Sequence, residues 1–309
     1  MKFYKTLSFA LAIVMIFLFC SCNKQNTQTA EKTKTSAQNS KLFTDFFPEK
    51  SFAEEVAALF NKHYNDTVTK DELENYKGKL EFSSSQLGIV ENLEGIHYLK
   101  NLTVLTCCKN NVTVLPDEIG SLTNLKVLDL GKCFYLKELP ESIGNLKKLE
   151  VLKLFFTEID TLPKSIALLK NLKALSISCT KITALPGAIG FLNNLQYLCL
   201  SDTKIKILPE DLSNLKNLKI LNCRDSYVEN LPENIGNAKN LQSIDMFNCR
   251  LSSVPESVKN LKKLKYFNVY DNKITNENYK NWLSKDVYEC KNDVESSPII
   301  IDGEEYFYN

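Results

Sequence analysis

The chain has few of the side chains on which catalytic sites depend. Its 309 residues include only two histidines, His63 and His97, and neither lies near a serine or cysteine in a nucleophile motif. No phosphate-binding loop, nucleotide fingerprint or metalloprotease motif occurs in the sequence. Without such a constellation an enzyme is the least favoured class of function. We therefore expect no catalytic residues, no cofactor and no metal site.

An excess of charge of one sign is also missing. The chain has 38 basic and 37 acidic residues, which gives a formal net charge of +1. Nucleic-acid binding requires a basic patch or stripe that neutralises phosphates. The balanced charge therefore argues against a nucleic-acid partner.

Long apolar runs are absent as well. The run from Leu7 to Phe19 has 13 residues, whereas a membrane span needs roughly 20. Lys2 and Lys5 give it a positively charged start, which is typical of an export signal. We expect the protein to leave the cytoplasm.

The export signal ends in a cysteine motif. The segment Phe19-Cys20-Ser21-Cys22 resembles the lipobox of bacterial lipoproteins, which implies cleavage before Cys22 and a lipid on its thiol. This resemblance makes residues 1–22 a lipoprotein signal peptide. It implies a protein anchored in the cell envelope at the outer membrane, facing the periplasm or the surface. An uncleaved anchor helix and a plain signal peptide are the alternatives. Residues 23–41 contain no large apolar side chain, so we expect a flexible tether.

Proline, in contrast, is placed with strict regularity. Seven of the nine prolines recur at intervals of 24 residues once and 23 residues five times. They are Pro116, Pro140, Pro163, Pro186, Pro209, Pro232 and Pro255. A fixed period of this length is typical of stacked repeats that share one continuous core.

Each repeat combines two apolar periods. In residues 172–194 the first apolar residues follow a strand pattern, and the later ones are three to four apart, which predicts a tight helical return. They are Leu172, Leu175 and Ile177, followed by Ile182, Leu185, Ile189 and Leu192. Stacking such units predicts a parallel sheet with strands about 4.8 Å apart.

The motif LxxLxLxx(N/T/C)xIxxLPxxIxxLxx resembles the leucine-rich repeat family, with eight copies of 22–24 residues over residues 102–283. The resemblance implies an α/β solenoid, a horseshoe with a parallel concave sheet, a helical N-terminal cap and a short C-terminal cap. Residues 42–101 look like the caps of internalin-like bacterial proteins. Residues 284–309 form the predicted C-terminal cap, in which Asp302-Gly303 indicates a hairpin. A swapped or partner-bound strand is the alternative.

The resemblance also gives a role to one position in every repeat, eight residues after its first leucine. The family usually has Asn there, and its amide bonds to the backbone. Here the residues vary, which predicts a mixed and purely structural ladder. They are Asn110, Cys133, Thr157, Thr180, Thr203, Ser226, Cys249 and Asn272.

Two capping boxes are predicted in the N-terminal cap, Ser51 with Glu54 and Thr69 with Glu72. The second precedes Leu73, Tyr76 and Leu80, which we interpret as one helical face.

The cysteines predict free thiols. Cysteines that share a repeat position, such as Cys107 and Cys223, lie five repeats apart, too far for the Cα separation that a disulfide requires.

Alternation along each strand directs the residues at positions two, four and six after the first leucine to the concave face. These positions hold large aromatic residues and one arginine, on a face with no predicted packing partner. Phe156 follows at the end of its strand. The candidate ligand-binding residues are Phe155, Phe156, Tyr197, Arg224, Phe247, Tyr266 and Tyr270. Aromatic and arginine side chains are enriched in binding hot spots. The alternative is that the rings only pack on one another or under a cap.

Acidic residues recur one position further along. Asp202, Asp225 and Asp271 share this position with Asn248, and we include the aspartates among the binding residues. They could orient a basic partner, form a solvated rim or recruit Ca²⁺.

The prediction is therefore a monomeric, non-catalytic module that binds an unidentified protein or peptide and attaches to the membrane through its lipid anchor. A glycan-binding adhesion lipoprotein is the alternative, since aromatic platforms suit sugars as well.

Overall fold

The computed structural model describes residues 39–83, 88–281, 283, 299–301 and 304–306. The predicted signal peptide with Cys22, most of the tether and most of residues 284–309 lie outside the described residues. In the part that is described, no helix is long and apolar enough to cross a membrane.

A small helical cap begins the structure. Its elements are β1 (Ser40–Leu42), α1 (Phe43–Phe46), α2 (Lys50–Ala58), β2 (Thr67–Thr69) and α3 (Lys70–Asn75). Strands β1 and β2 pair antiparallel. Because β1 starts at Ser40, ordered structure begins inside the predicted tether. Phe43, Phe47 and Phe52 are fully buried and continue the core of the repeats.

One of the two predicted capping boxes is confirmed. Glu72 N–H donates to Thr69 Oγ1 over 3.1 Å, and Thr69 N–H donates back to the Glu72 carboxylate over 2.7 Å. The Ser51 box is wrong, because α2 begins at Lys50, two residues earlier than an N-cap at Ser51 requires. The Glu49 carboxylate accepts the Ser51 and Phe52 N–H groups instead.

The prediction that Leu73, Tyr76 and Leu80 lie on one helix is also wrong. Helix α3 stops at Asn75, and Leu80 lies in the next strand, β3 (Lys79–Ser83). That strand pairs in parallel with the first repeat strand, β4 (Val104–Cys108). Sheet pairing therefore overrides the helical spacing, and the cap contributes a ninth strand to the sheet.

The main sheet has nine parallel strands in sequential order, β3 to β11. The remaining strands are β5 (Val127–Asp129), β6 (Val151–Lys153), β7 (Ala174–Ser176), β8 (Tyr197–Cys199), β9 (Ile220–Asn222), β10 (Ser243–Asp245) and β11 (Tyr266–Asn268). Equivalent repeat positions pair directly, for example Leu105 with Leu128 and Leu128 with Leu152. The leucine-rich repeat solenoid predicted from the sequence is confirmed.

The helical returns are single 3₁₀ turns. They are Ile96–Leu99, Asp117–Ser121, Glu141–Asn145, Lys164–Leu168, Gly187–Phe191, Glu210–Asn214, Ile235–Asn237, Glu256–Asn260 and Glu277–Asn281. Six begin directly after a repeat proline, whose fixed φ suits this entry, as at Pro116 with φ −67°. Ile119 and its equivalents point inward and are buried.

The ladder residues divide into two kinds. Asn272 Nδ2 donates to the Met246 carbonyl of the preceding repeat over 2.7 Å, and Cys133 Sγ donates to the equivalent Cys107 carbonyl over 3.0 Å. Thr180 Oγ1 donates instead to the Ile177 carbonyl of its own repeat over 2.7 Å. The Thr180 hydroxyl therefore closes a turn within its own repeat and does not bridge repeats.

All seven cysteines among the described residues are free thiols, as predicted. Some of these thiols nevertheless lie close to one another. Cysteines of neighbouring repeats meet diagonally, since Cys249 Sγ donates to the Cys223 carbonyl over 3.1 Å and Cys133 contacts Cys107 in the same way.

The two strands of the predicted C-terminal hairpin are confirmed to pair with each other. Strand β12 (Ile299–Ile301) runs antiparallel to β13 (Glu304–Tyr306), and Ile301 pairs with Glu304, which leaves a two-residue connection. Whether it closes the last repeat stays a prediction.

Candidate binding surfaces

The N-terminal half of the concave face is closely packed. Its second-position residues form a small apolar cluster that is almost completely buried: Val104, Val127, Val151 and Ala174, with Cys199 beside them. Next to it the Lys153 ammonium lies 3.5 Å from the Asp129 carboxylate, with both side chains largely buried. This half offers little accessible surface for recognition.

Phe155 belongs to this packed region. A Cβ atom at Gly131 would lie 2.2 Å from the Phe155 ring, so the ring lies in the space that this glycine leaves. The Phe155 side chain is buried, and its ring meets Phe156 edge-on at 6.2 Å. Phe155 therefore matches the alternative that the predicted aromatics pack within the protein.

The C-terminal half of the concave face groups several predicted residues. The Arg224 guanidinium lies 4.2 Å from the centre of the Phe247 ring, and its Nε lies 3.3 Å from the Asp225 carboxylate. Asn248 Nδ2 donates to the same carboxylate over 2.7 Å. Tyr270 stands one repeat further and remains 36% exposed.

Backbone hydrogen bonds hold these neighbours in register. Asp225 N–H donates to the Phe247 carbonyl over 2.9 Å, and Asn248 N–H donates to the Tyr270 carbonyl over 3.0 Å. We call Arg224, Phe247 and Tyr270 the concave triad.

The two remaining tyrosines lie on the same face and are half-buried. Tyr266 O–H donates to the Asp245 carboxylate over 3.4 Å and accepts from Asn268 Nδ2 over 3.1 Å. Lys219 Nζ lies 6.0 Å from the Tyr197 ring centre.

The acidic row has a backbone explanation. Asp202, Asp225 and Asp271 have φ values of 52°, 59° and 56°. Every repeat turns out of the sheet through a residue in this left-handed region, which Asn and Asp adopt more readily than most residues do. In order, these residues are Lys109, Lys132, Phe156, Cys179, Asp202, Asp225, Asn248 and Asp271.

A cleft lies along the edge where the chain leaves the sheet, and residue patterns alone did not assign it to a site. We call it the rim cleft; its volume is about 600 Å³. Phe134, Tyr135 and Phe156 stand among its lining residues together with Tyr227. The 24-residue interval of the repeat that starts at Leu125 was the available signal, because its extra residue falls near Phe134 and Tyr135.

The charged groups of the rim cleft are balanced. Lys181 Nζ lies 2.7 Å from the Glu158 carboxylate, and this hydrogen bond lowers the pKa of Glu158. Asp202 and Lys204 complete the charged lining. Burial, with a smaller contribution from Asp202, raises the pKa of the Cys179 thiol to about 11, so this thiol stays protonated.

Comparisons with known proteins agree with this architecture. Residues 80–206 match the family model "Leucine-rich repeat region", residues 240–261 match "Leucine Rich Repeat", and residues 38–74 match "Internalin, EF-hand domain". The repeats are therefore similar to leucine-rich repeats, and the N-terminal cap is similar to that of internalins.

One curated relative of this internalin-like chain is internalin J of Listeria monocytogenes, 36% identical over 90 residues. That match covers 29% of the chain and only 9% of the relative. Internalin C2 of the same species is similar in structure, with a TM-score of 0.63 and 26% identity over 73% of this chain and 95% of that one. The functional domain of internalin J, described as including a cysteine ladder, has a TM-score of 0.60 and 24% identity over 80% of this chain and 55% of that one.

The family model that matches residues 38–74 includes an EF-hand, and EF-hand loops of other proteins bind calcium. An EF-hand loop has twelve residues, with oxygen ligands at positions 1, 3, 5, 7, 9 and 12 and glycine at position 6. The segment from Asn61 to Glu72 fits that length, because Thr67 then supplies the position-7 carbonyl and α3 starts at position 10. Asn61 replaces the usual Asp at position 1, His63 replaces the Asp or Asn at position 3, and Asp66 replaces the glycine.

A lysine provides the positive charge in this loop. Lys62 Nζ donates to the Thr67 carbonyl over 2.9 Å and to the Glu72 carboxylate over 3.3 Å. The loop therefore does not fit calcium. Across the residues that the structure describes, no group of three or more His, Cys, Asp or Glu side chains could hold a metal ion.

Proposed function

We propose that this protein binds another protein or a peptide through the C-terminal half of its concave face. The concave triad carries the proposal. A guanidinium stacked on a phenylalanine, beside a partly exposed tyrosine, combines the residue types that are enriched in binding hot spots.

The arrangement is also pre-organised. Asp225 and the Phe247 ring hold the Arg224 side chain in one position, so less side-chain freedom is lost on binding. The stacked guanidinium suits a carboxylate or a backbone carbonyl of a partner. No chemical step is part of this function.

The envelope location is a second component of the proposal. We infer that residues 1–22 are removed and that Cys22 receives the lipid, with residues 23–39 as spacer. Metabolic labelling with a fatty acid tests this, because the Cys22→Ser variant is expected to lose the label.

Partner binding is tested by affinity capture with matched baits. One bait is the unaltered protein, the second is the Phe247→Glu, Tyr270→Glu variant, and the third is Phe191→Glu. Phe191 is 61% exposed on a 3₁₀ turn away from the concave sheet, so it controls for adding a carboxylate to an exposed ring position.

The expected result is a protein captured by the unaltered and Phe191→Glu baits and lost from the double variant. Equal capture by all three baits would contradict binding at the concave triad. Melting temperatures of the three baits show whether the solenoid remains folded.

A further inference from the structure

We propose that the rim cleft is a second binding site, separate from the concave triad, and that it takes a short uncharged oligosaccharide. The aromatic walls, the size, the charge and the backbone of the cleft all favour such a ligand.

Aromatic rings form the two ends of the cleft. Phe134, Tyr135 and Phe156 are 51%, 54% and 45% exposed at one end, and Tyr227 is 37% exposed at the other. Exposed rings grouped in this way typically mark an interaction site. The Arg250 guanidinium lies 3.7 Å from the Tyr227 ring centre and holds that wall in place.

The size of the cleft indicates a small ligand. A volume of about 600 Å³ lies within the range of roughly 300–1,000 Å³ for small-molecule sites. A stable protein interface would need about 800 Å² from each partner, which is a much larger and flatter surface.

The charges indicate an uncharged ligand. Glu158 and Asp202 are matched by Lys181 and Lys204, and Glu158 is already paired with Lys181. Among the lining residues an acidic or basic ligand would gain no net attraction and would have to compete with the existing pair. The cations nearby, Arg250 and Lys132, lie against the Tyr227 and Phe156 rings, so the acidic probe below tests whether they attract an anion.

The backbone argues against an extended peptide as the ligand. Peptides that extend a sheet need unpaired main-chain groups. Two lining residues already use their main-chain N–H groups. Cys179 N–H donates to the Ser201 carbonyl and Asp202 N–H donates to the Arg224 carbonyl, both over 2.8 Å. Side chains therefore supply the polar contacts of the cleft.

An oligosaccharide matches these features. Its sugar rings have an apolar C–H face, which suits the exposed aromatic rings, and hydroxyl groups at their edges. Hydroxyl groups both donate and accept hydrogen bonds, so they can contact the carboxylates and ammonium groups of the floor without adding charge.

Titration calorimetry of the purified protein tests the proposal, with cellohexaose, maltohexaose, mannohexaose and N-acetylchitohexaose as neutral probes. Hexagalacturonate is the acidic comparison. The variants are Tyr135→Ala and Tyr227→Ala, and Phe191→Ala is the control for loss of an exposed ring outside the cleft.

We expect at least one neutral probe to bind, with affinity reduced about tenfold or more in each cleft variant and unchanged in Phe191→Ala. Binding should persist in the Phe247→Glu, Tyr270→Glu variant, which separates this site from the concave triad. The proposal is overturned if no neutral probe binds, if the acidic probe binds more tightly, or if the cleft variants keep full affinity.

Discussion

Lys62 and Glu72 form a tethered ion pair across the cap loop. The ammonium lies 3.3 Å from one oxygen of the carboxylate, while the other oxygen accepts the Thr69 N–H over 2.7 Å. A lysine on one side of the loop thus neutralises the carboxylate at which an EF-hand would hold calcium. We therefore expect the cap to fold without calcium.

This pair predicts how the cap responds to calcium and pH. Burial alone would raise the pKa of Glu72, but hydrogen bonds from Thr69 and Lys62 outweigh it and lower the pKa. A carboxylate with a lowered folded-state pKa stabilises the fold above its unfolded pKa of about 4.3. That stability is lost as pH falls through the folded pKa.

At neutral pH, Lys62→Ala should lower the free energy of unfolding by about 0.2–1 kcal/mol, the usual range for an exposed pair. The difference from the unaltered protein should shrink in acid, because protonation of Glu72 removes the ion pair while the hydrogen bond from Lys62 to the Thr67 carbonyl remains. Calcium and chelators should leave the melting temperature of the unaltered protein unchanged. Lys77→Ala is the control, since Lys77 is exposed on the same cap. A melting temperature that rises with calcium would contradict the fit of this loop.

The ladder predicts a stabilising substitution. Thr180 bonds within its own repeat, whereas Asn272 reaches the preceding one. Thr180→Asn should therefore add an inter-repeat hydrogen bond and raise the free energy of unfolding by about 0.5–1.5 kcal/mol. Urea denaturation measures the change. Asn272→Thr should lower stability; if both substitutions shift it in the same direction, the ladder does not act in this way.

The repeat was predictable from the sequence because proline and leucine positions report local geometry. Alternation directs Leu175 and Ile177 inward, the repeated leucine pattern adds Leu172, and all three are buried. The cap strand β3 was not predictable in this way. Its place depends on pairing with β4, a long-range contact that overrides the helical spacing of Leu80.

For the candidate site, the sequence predicts which face of the sheet a residue lies on, but not whether its side chain is accessible. Alternation placed Arg224 and Phe247 on the concave side, but whether a ring there is accessible depends on its neighbours. Gly131 makes space for Phe155, so this ring is buried whereas Tyr270 is not. The position of the aspartates reflects a left-handed turn, which the sequence does not reveal because other repeats have Lys, Phe, Cys or Asn at the same position.

The contact between Gly131 and Phe155 can be tested by a double-mutant cycle. Gly131→Ala should destabilise the protein, because the new methyl group would overlap the Phe155 ring at 2.2 Å, and overpacking costs about 1–3 kcal/mol. In a Phe155→Ala background the same substitution should cost much less. Equal costs in both backgrounds would show that the ring moves aside freely.

The strand register predicts the effect of a core cavity. Leu175 is 1% exposed, whereas Leu168 at the end of the preceding repeat is 47% exposed. Leu175→Ala should lower the free energy of unfolding by about 2–5 kcal/mol, and Leu168→Ala should change it little. Thermal unfolding of both variants checks this, and an unchanged melting temperature in Leu175→Ala would be incompatible with the register.

The free thiols should report unfolding of individual repeats. Burial raises the pKa of Cys199 to about 12, and Cys179, with a pKa of about 11, is less buried. Since the thiolate is the reactive form, both react slowly at pH 8, and access then decides the order. Iodoacetamide should modify Cys179 first and reach Cys199 and Cys223 only as urea opens the solenoid. Peptide mass spectrometry measures the rates, with Cys179→Ser confirming the assignment. Modification of Cys199 as fast as Cys179 without denaturant would mean that the concave sheet opens locally.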